Sequence, residues 1–213
     1  MRLRKKWWAR PEMEESGVFI PNAYEQKGQW NKVFGNENEV YLELGCGRGD
    51  FVCNTAKDAL DKNFIAIDLK DEVLIYGVRK AIDGNLKNIR FMALNIMLID
   101  DVFAENEISR IFLNFSTPWP KERHNKRRLS HPKFLEQYKK FLKPHSQIWL
   151  KTDDENFFVD SAYYFKESGF KINYLTYDLH SSVYKDKSVM TEYEKKFSSM
   201  GKKINFLIAE LKE

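Results

Sequence analysis

The sequence has 213 residues, of which 43% are hydrophobic and 31% charged, with a net charge of +4. That is the balance of one ordinary globular domain and excludes a disordered chain. It also offers no run near the roughly 18 apolar residues of a membrane helix, no apolar leader after the basic start because Pro11, Glu12, Glu14 and Glu15 follow, and no cysteine or histidine spacing for a disulfide framework or metal site. The expectation is one cytoplasmic domain over residues 1–213, with no membrane attachment and no metal, as a monomer or a homodimer.

In chain order, the first ten residues carry Arg2, Arg4, Lys5, Lys6 and Arg10 without an acid. With Trp7 and Trp8 they suggest either a basic arm over about 1–12 that grips a polyanion or a segment packing its indoles on the body. Short β-branched or aromatic runs then predict strands at Val40 to Leu44, Phe64 to Ile67, Ile89 to Ala93, Arg110 to Asn114 and Gln147 to Lys151. Helical periodicity predicts helices over 71–83, 132–142 and 155–168. Two further strands, Lys171 to Asp178 and Lys203 to Leu211, have no helix of crossover length visible between them. The long loop 179–202 joins them. The sum is an α/β fold, a seven-stranded, mostly parallel Rossmann-like sheet with an antiparallel last strand and helices on both faces.

In such sheets the ligand lies beyond the C-terminal strand ends, near the first strand-to-helix turn. Glu43-Leu-Gly-Cys-Gly-Arg-Gly49 occupies that turn. Gly45, Gly47 and Gly49 allow positive φ and close backbone approach. Position 50 is Asp50, so the spacing is Gly-x-Gly-x-Gly, unlike the dinucleotide fingerprint, and Glu43 can face a cationic group where a pyrophosphate would be repelled. This favours S-adenosylmethionine over a nicotinamide cofactor. Asp68, ending the second strand, is placed to accept from both ribose hydroxyls. Asn95, ending the third, can either meet an adenine edge or cap the strand end.

After the fourth strand comes Asn114-Phe-Ser-Thr-Pro-Trp-Pro120, a stiff loop that can hold the Trp119 ring against a purine. A cation cluster follows immediately: Lys121, Arg123, Lys126, Arg127 and Arg128 against Glu122 alone. Phosphates would thereby lie beside the pocket that a base must enter, which points to RNA rather than to an ordinary solvated run.

Taken together with Lys151-Thr-Asp153, Asp178-Leu-His180 and Met190-Thr-Glu-Tyr-Glu194, these motifs resemble the bacterial tRNA (guanine-N7)-methyltransferase family over nearly the whole chain. The resemblance implies the class I methyltransferase fold, S-adenosylmethionine as cofactor, and methylation of guanine N7 in the tRNA variable loop. It assigns Glu43, Asp68, Asn95 and Thr117 to the cofactor, with the glycine turn. It assigns Lys121, Asp153, Thr191, Glu192, Tyr193 and Glu194 to the guanine or substrate, and Arg123, His124, Asn125, Lys126, Arg127 and Arg128 to RNA. Asp153, Glu192 and Glu194 would accept from guanine N1 and its exocyclic amine. The family carries an aspartate important for catalysis where this chain has Thr117, and usually another where it has Asn95. The alternative is therefore a tRNA-binding protein that keeps the cofactor site and methylates poorly.

Overall fold

The computed structural model describes residues 4–212. Its seven strands are β1 (Val40–Leu44), β2 (Asn63–Asp68), β3 (Ile89–Ala93), β4 (Ile108–Asn114), β5 (Leu142–Thr152), β6 (Phe170–Thr176) and β7 (Asn205–Leu211), in the order β3-β2-β1-β4-β5-β7-β6. The first five pair in parallel, whereas β7 runs antiparallel to both β5 and β6. The last strand in sequence thus inserts between its two predecessors, as antiparallel entry at the end of an open sheet permits.

Strand alternation splits the core in two. Leu42, Leu44, Ile65, Ile67, Ile111, Leu113, Ile148 and Leu150 face one layer, which α5 (Pro132–Lys139) and α6 (Glu155–Glu167) cover with Phe134, Leu135, Tyr138, Phe157, Phe158 and Phe165. Phe64, Ala66, Phe91, Phe112, Trp149 and Phe206 face the other, under α3 (Asp50–Asp58) and α4 (Asp71–Asp83). Because side chains alternate along a strand, Glu43, Asn114 and Lys151 fall on this second face.

Several elements depart from expectation. The helix expected over 132–142 stops at Lys139, and Leu142 already pairs with Ile108 as the start of β5. Its apolar spacing from Tyr138 serves two successive elements. The supposed loop 179–202 contains α7 (Glu192–Ser199), and two short helices, α1 (Ala9–Glu14) and α2 (Trp30–Phe34), were too brief for periodicity to reveal.

From Lys6 onward the N-terminal segment is docked rather than projecting. The Lys6 ammonium donates to the Tyr76 hydroxyl at 2.6 Å, Arg10 pairs with Asp71 at 2.8 Å, and Arg79 forks onto Glu12 at 2.6 and 2.7 Å. Trp8 lies under the Arg79 guanidinium, whereas Trp7 is exposed. Of the cations expected to grip a polyanion, Lys6 and Arg10 are thus engaged with α4, and Arg2 lies outside the described residues.

The glycine turn is fixed by a close approach of two helices. A Cβ on Gly77 would lie 2.6 Å from a ring carbon of buried Phe91, and one on Gly49 would lie 2.8 Å from the Gly77 Cα. Gly77→Ala is expected to lower stability by about 1–3 kcal/mol, read as a shifted urea midpoint. An unchanged midpoint would contradict this packing.

Candidate active site

The C-terminal ends of β1, β2, β4 and β5 lie along one edge of the sheet. At β1 the turn leaves the sheet with Gly45 and Gly47 at φ of 78° and 54°, and a Cβ on either would meet nothing within 4 Å. These two glycines therefore face open space while Gly49 faces α4, so the three do different work. The Asp68 carboxylate at the end of β2 accepts from the Gly47 amide at 2.9 Å and from the Lys70 amide at 3.1 Å. Asp68 thus shapes the turn, and its remaining lone pairs keep the acceptor capacity expected for a ribose.

Glu43 is 3% exposed. Its Oε1 accepts from the Asn114 side-chain amide at 2.9 Å, while its Oε2 and the Asn114 Oδ1 are buried without a hydrogen-bonded donor. Burial pushes the Glu43 carboxyl up to about 7, against the opposing pull of the Asn114 amide, the Lys151 charge and the Val52 backbone amide. Two buried acceptors without a protein donor beneath a glycine turn are suited to a ligand that brings N–H donors and positive charge.

Asn95 is exposed and caps the turn at Ile96–Asp101, its Oδ1 accepting from the Met97 amide at 3.1 Å. The capping role is therefore realised at the end of β3. Thr117 is exposed in the loop above β4, next to Phe115 and Trp119, which take φ of 49° and 46°. Non-glycine residues in that region mark a backbone held by its surroundings. Trp119 does not present a bare ring, for the Arg127 guanidinium lies 4.9 Å from its centroid and the His124 ring packs edge-on at 5.7 Å.

The cation cluster divides. Lys121, Arg123, Lys126 and Arg127 are exposed along the short helical turn Glu122–Arg127, with His124 and Asn125 half-buried among them. Arg128 is not available to RNA as expected: it is 4% exposed, donates to the Pro118 carbonyl at 2.6 Å and pairs with Asp160. It closes the loop from beneath.

The Thr191–Glu194 block is also partly turned inward. Thr191 is the N-cap of α7 and accepts from the Glu194 amide at 2.9 Å, while the Glu194 carboxylate returns to the Thr191 amide. Glu194 is 1% exposed and pairs with the equally buried Lys151 at 2.8 Å, so its carboxylate is engaged within the protein rather than displayed on the surface. The Thr-x-x-Glu spacing of a capping box was the signal that could have revealed this. Tyr193 is exposed and stacks on Phe115, linking α7 to the Thr117 loop. The side chain of Glu192 lies outside the described residues. Asp153, half-buried after β5, accepts from Lys202 at 3.0 Å. Asn114 and Lys151 were not singled out from sequence, because nothing there says that they share a face with Glu43.

Two surface clefts of about 410 and 440 Å³ lie at the other end of the strands, around Trp30 and Lys143 and around Leu60 and Asn88. Neither includes any residue of the glycine turn.

Residues 37–207 match a family described as a putative methyltransferase. The chain is 58% identical to a tRNA (guanine-N(7)-)-methyltransferase of Clostridium acetobutylicum, each covered in full. It is likewise 58% identical to the protein of that name from Clostridium novyi over the whole of both chains, and 56% to that of Clostridium botulinum over 99% of this chain and 100% of the relative. Among solved structures, the 16S rRNA methyltransferase KamB superposes with a TM-score of 0.65 at 12% identity, covering 87% of this chain and 94% of that one. An S-adenosylmethionine-dependent methyltransferase from Aquifex aeolicus gives 0.57 at 16%, covering 94% and 97%. These structures share the fold. With its glycine turn, its Pro-Trp-Pro loop and full-length identity to these relatives, the chain belongs to the tRNA (guanine-N(7)-)-methyltransferase family.

Proposed function

We propose that this protein transfers the methyl group of S-adenosylmethionine to N7 of a guanine in the variable loop of tRNA, in the cytoplasm. The observation that carries this reading is a juxtaposition. The buried acceptors Glu43 Oε2 and Asn114 Oδ1 underlie an open glycine turn, and the loop that follows Asn114 presents Lys121, Arg123, Lys126 and Arg127 to solvent. The acceptors suit the α-ammonium of a methionyl group, and the cations suit phosphates. Full-length relatives that carry the methyltransferase name favour this reading over a tRNA-binding protein without turnover.

When bound, the cofactor supplies an electrophilic methyl on a sulfonium. Guanine N7 has a lone pair and no proton, so no residue needs to act as a general base. The protein's task is alignment and exclusion of water. Glu43 and Asn114 would hold the methionyl end, Asp68 the ribose and Asn95 the adenine, and Thr117, Lys121, Asp153 and Tyr193 would meet the entering base. A carboxylate near Thr117 would offset positive charge as the purine becomes cationic. Incubation with unmodified tRNA and methyl-labelled cofactor, followed by nucleoside mass spectrometry, tests the reading: N7-methylguanosine is the expected product, and its absence refutes it.

Two variants probe the roles. Thr117→Asp should raise kcat on tRNA several-fold by restoring that charge, and an unchanged or lower kcat would refute the electrostatic role. For Glu43, the folded value near 7 lies above its ordinary 4.5. The folded protein therefore holds this proton more tightly than the unfolded chain, and stability is lost as pH rises from about 4.5 to 7. Relative to the wild type, ligand-free Glu43→Gln should gain on the order of 3 kcal/mol between those limits, measured by denaturant titration at pH 5 and 8. Cofactor affinity shows the opposite sense. It should fall in the wild type below about pH 7, as Glu43 takes up its proton, and stay flat in the variant.

A further inference from the structure

The pair Lys151–Glu194 is not an isolated ion pair. Lys151 is the penultimate residue of β5, next to Asn114 in the β4–β5 register, and Asn114 in turn donates to Glu43. Besides Glu194 at 2.8 Å, its ammonium donates to the Val189 carbonyl at 2.9 Å, and the Phe51 ring of α3 lies 5.5 Å away. Lys151 is 1% exposed, and Glu43 and Glu194 are 3% and 1% exposed. The buried cation thus pairs directly with the carboxylate in α7 and acts on the one under the glycine turn through space, from beside Asn114. Other titratable groups face the same cluster. Asp68 acts on Glu43 from β2, and His180 approaches Glu194 with its Nε2 3.4 Å from Oε1 while also bonding to Ser198.

We propose, building on the function above, that Lys151 is a positioning residue serving both halves of the site: its one charge keeps Glu43 ready for a cationic ligand and seats α7 beside the Thr117 loop. The argument is electrostatic. In a water-poor interior a carboxylate without a counter-charge takes up a proton, and a neutral Glu43 has little attraction for an ammonium. The same ammonium is the anchor of α7. It holds the Glu194 carboxylate that also completes the Thr191 cap, and it thereby holds Tyr193 and Phe197 against Phe115. The two carboxylates are not equivalent in this scheme. Removing the charge of Glu194 leaves Lys151 wholly to Glu43, whereas removing Lys151 strips both.

The test is a split between two binding readouts in the full chain. Glu194→Gln should lower kcat/KM for tRNA about tenfold or more and speed hydrogen exchange over 179–202, with S-adenosylhomocysteine and S-adenosylmethionine affinities by calorimetry at pH 7.5 unchanged or improved. Lys151→Met should lower the tRNA parameter likewise and also weaken S-adenosylmethionine about threefold at pH 7.5, the loss of ionised Glu43 when its carboxyl rises one unit above about 7. Since Lys151→Met leaves Glu194 buried and alone and so risks unfolding, Lys151→Met/Glu194→Met is the companion. It fills the space with apolar atoms, restores slow exchange over 179–202, and should still bind S-adenosylmethionine about threefold more weakly than the wild type. Wild-type cofactor affinity in the double variant, or equal cofactor loss in Glu194→Gln and Lys151→Met, would overturn the proposal. If tRNA proves not to be the substrate, the wild type itself gives no methylation, while the cofactor split between the variants still decides the role of Lys151.

Discussion

A charge removed from water needs a partner, and at the C-terminal edge of this sheet the partners come from different parts of the chain. Glu43 belongs to β1, Asn114 to β4, Lys151 to β5 and Glu194 to α7, and all four are at most 8% exposed. Buried ion pairs contribute little net stability against an apolar replacement, since desolvation offsets their attraction. What this row supplies is position. The Asn114–Glu43 bond ties the end of β4 to the strand that feeds the glycine turn, and the Lys151–Glu194 pair ties β5 to α7.

The fold surrounding that row was largely legible. The bounds of β1, β3 and α4 follow from alternation and helical spacing, because each is long or apolar enough for burial to leave a pattern. What escaped had physical reasons. The stripe Leu135, Tyr138, Leu142 reads as one helix because it crosses from α5 into β5 without losing its spacing. α7 has only eight residues, and its capping signature lay hidden in a motif that was read as substrate contact.

The site was legible in its location and less so in its division of labour. Gly45, Gly47, Glu43 and Asp68 lie where strand order places them, since that edge of the sheet follows from topology. The burial of Arg128 and Glu194 is not legible in the sequence for a common reason. Sequence displays charge but not burial, and their partners, Asp160 and Lys151, are 32 and 43 residues away. A neighbouring stretch of like residues then suggests one shared role where the structure has two, exposed cations above and a buried strut below.

That strut has a consequence for how a polyanion is met. With Arg128 bonded to the Pro118 carbonyl and to Asp160, the loop is closed on itself, and the turn carrying Lys121, Arg123, Lys126 and Arg127 is braced at its far end. The entropy of ordering that turn is lost when the chain folds, not when a ligand arrives. Under the proposed function, the exposed cations would meet phosphates as a preformed electrode rather than as a tether, steering association by the field of a fixed surface.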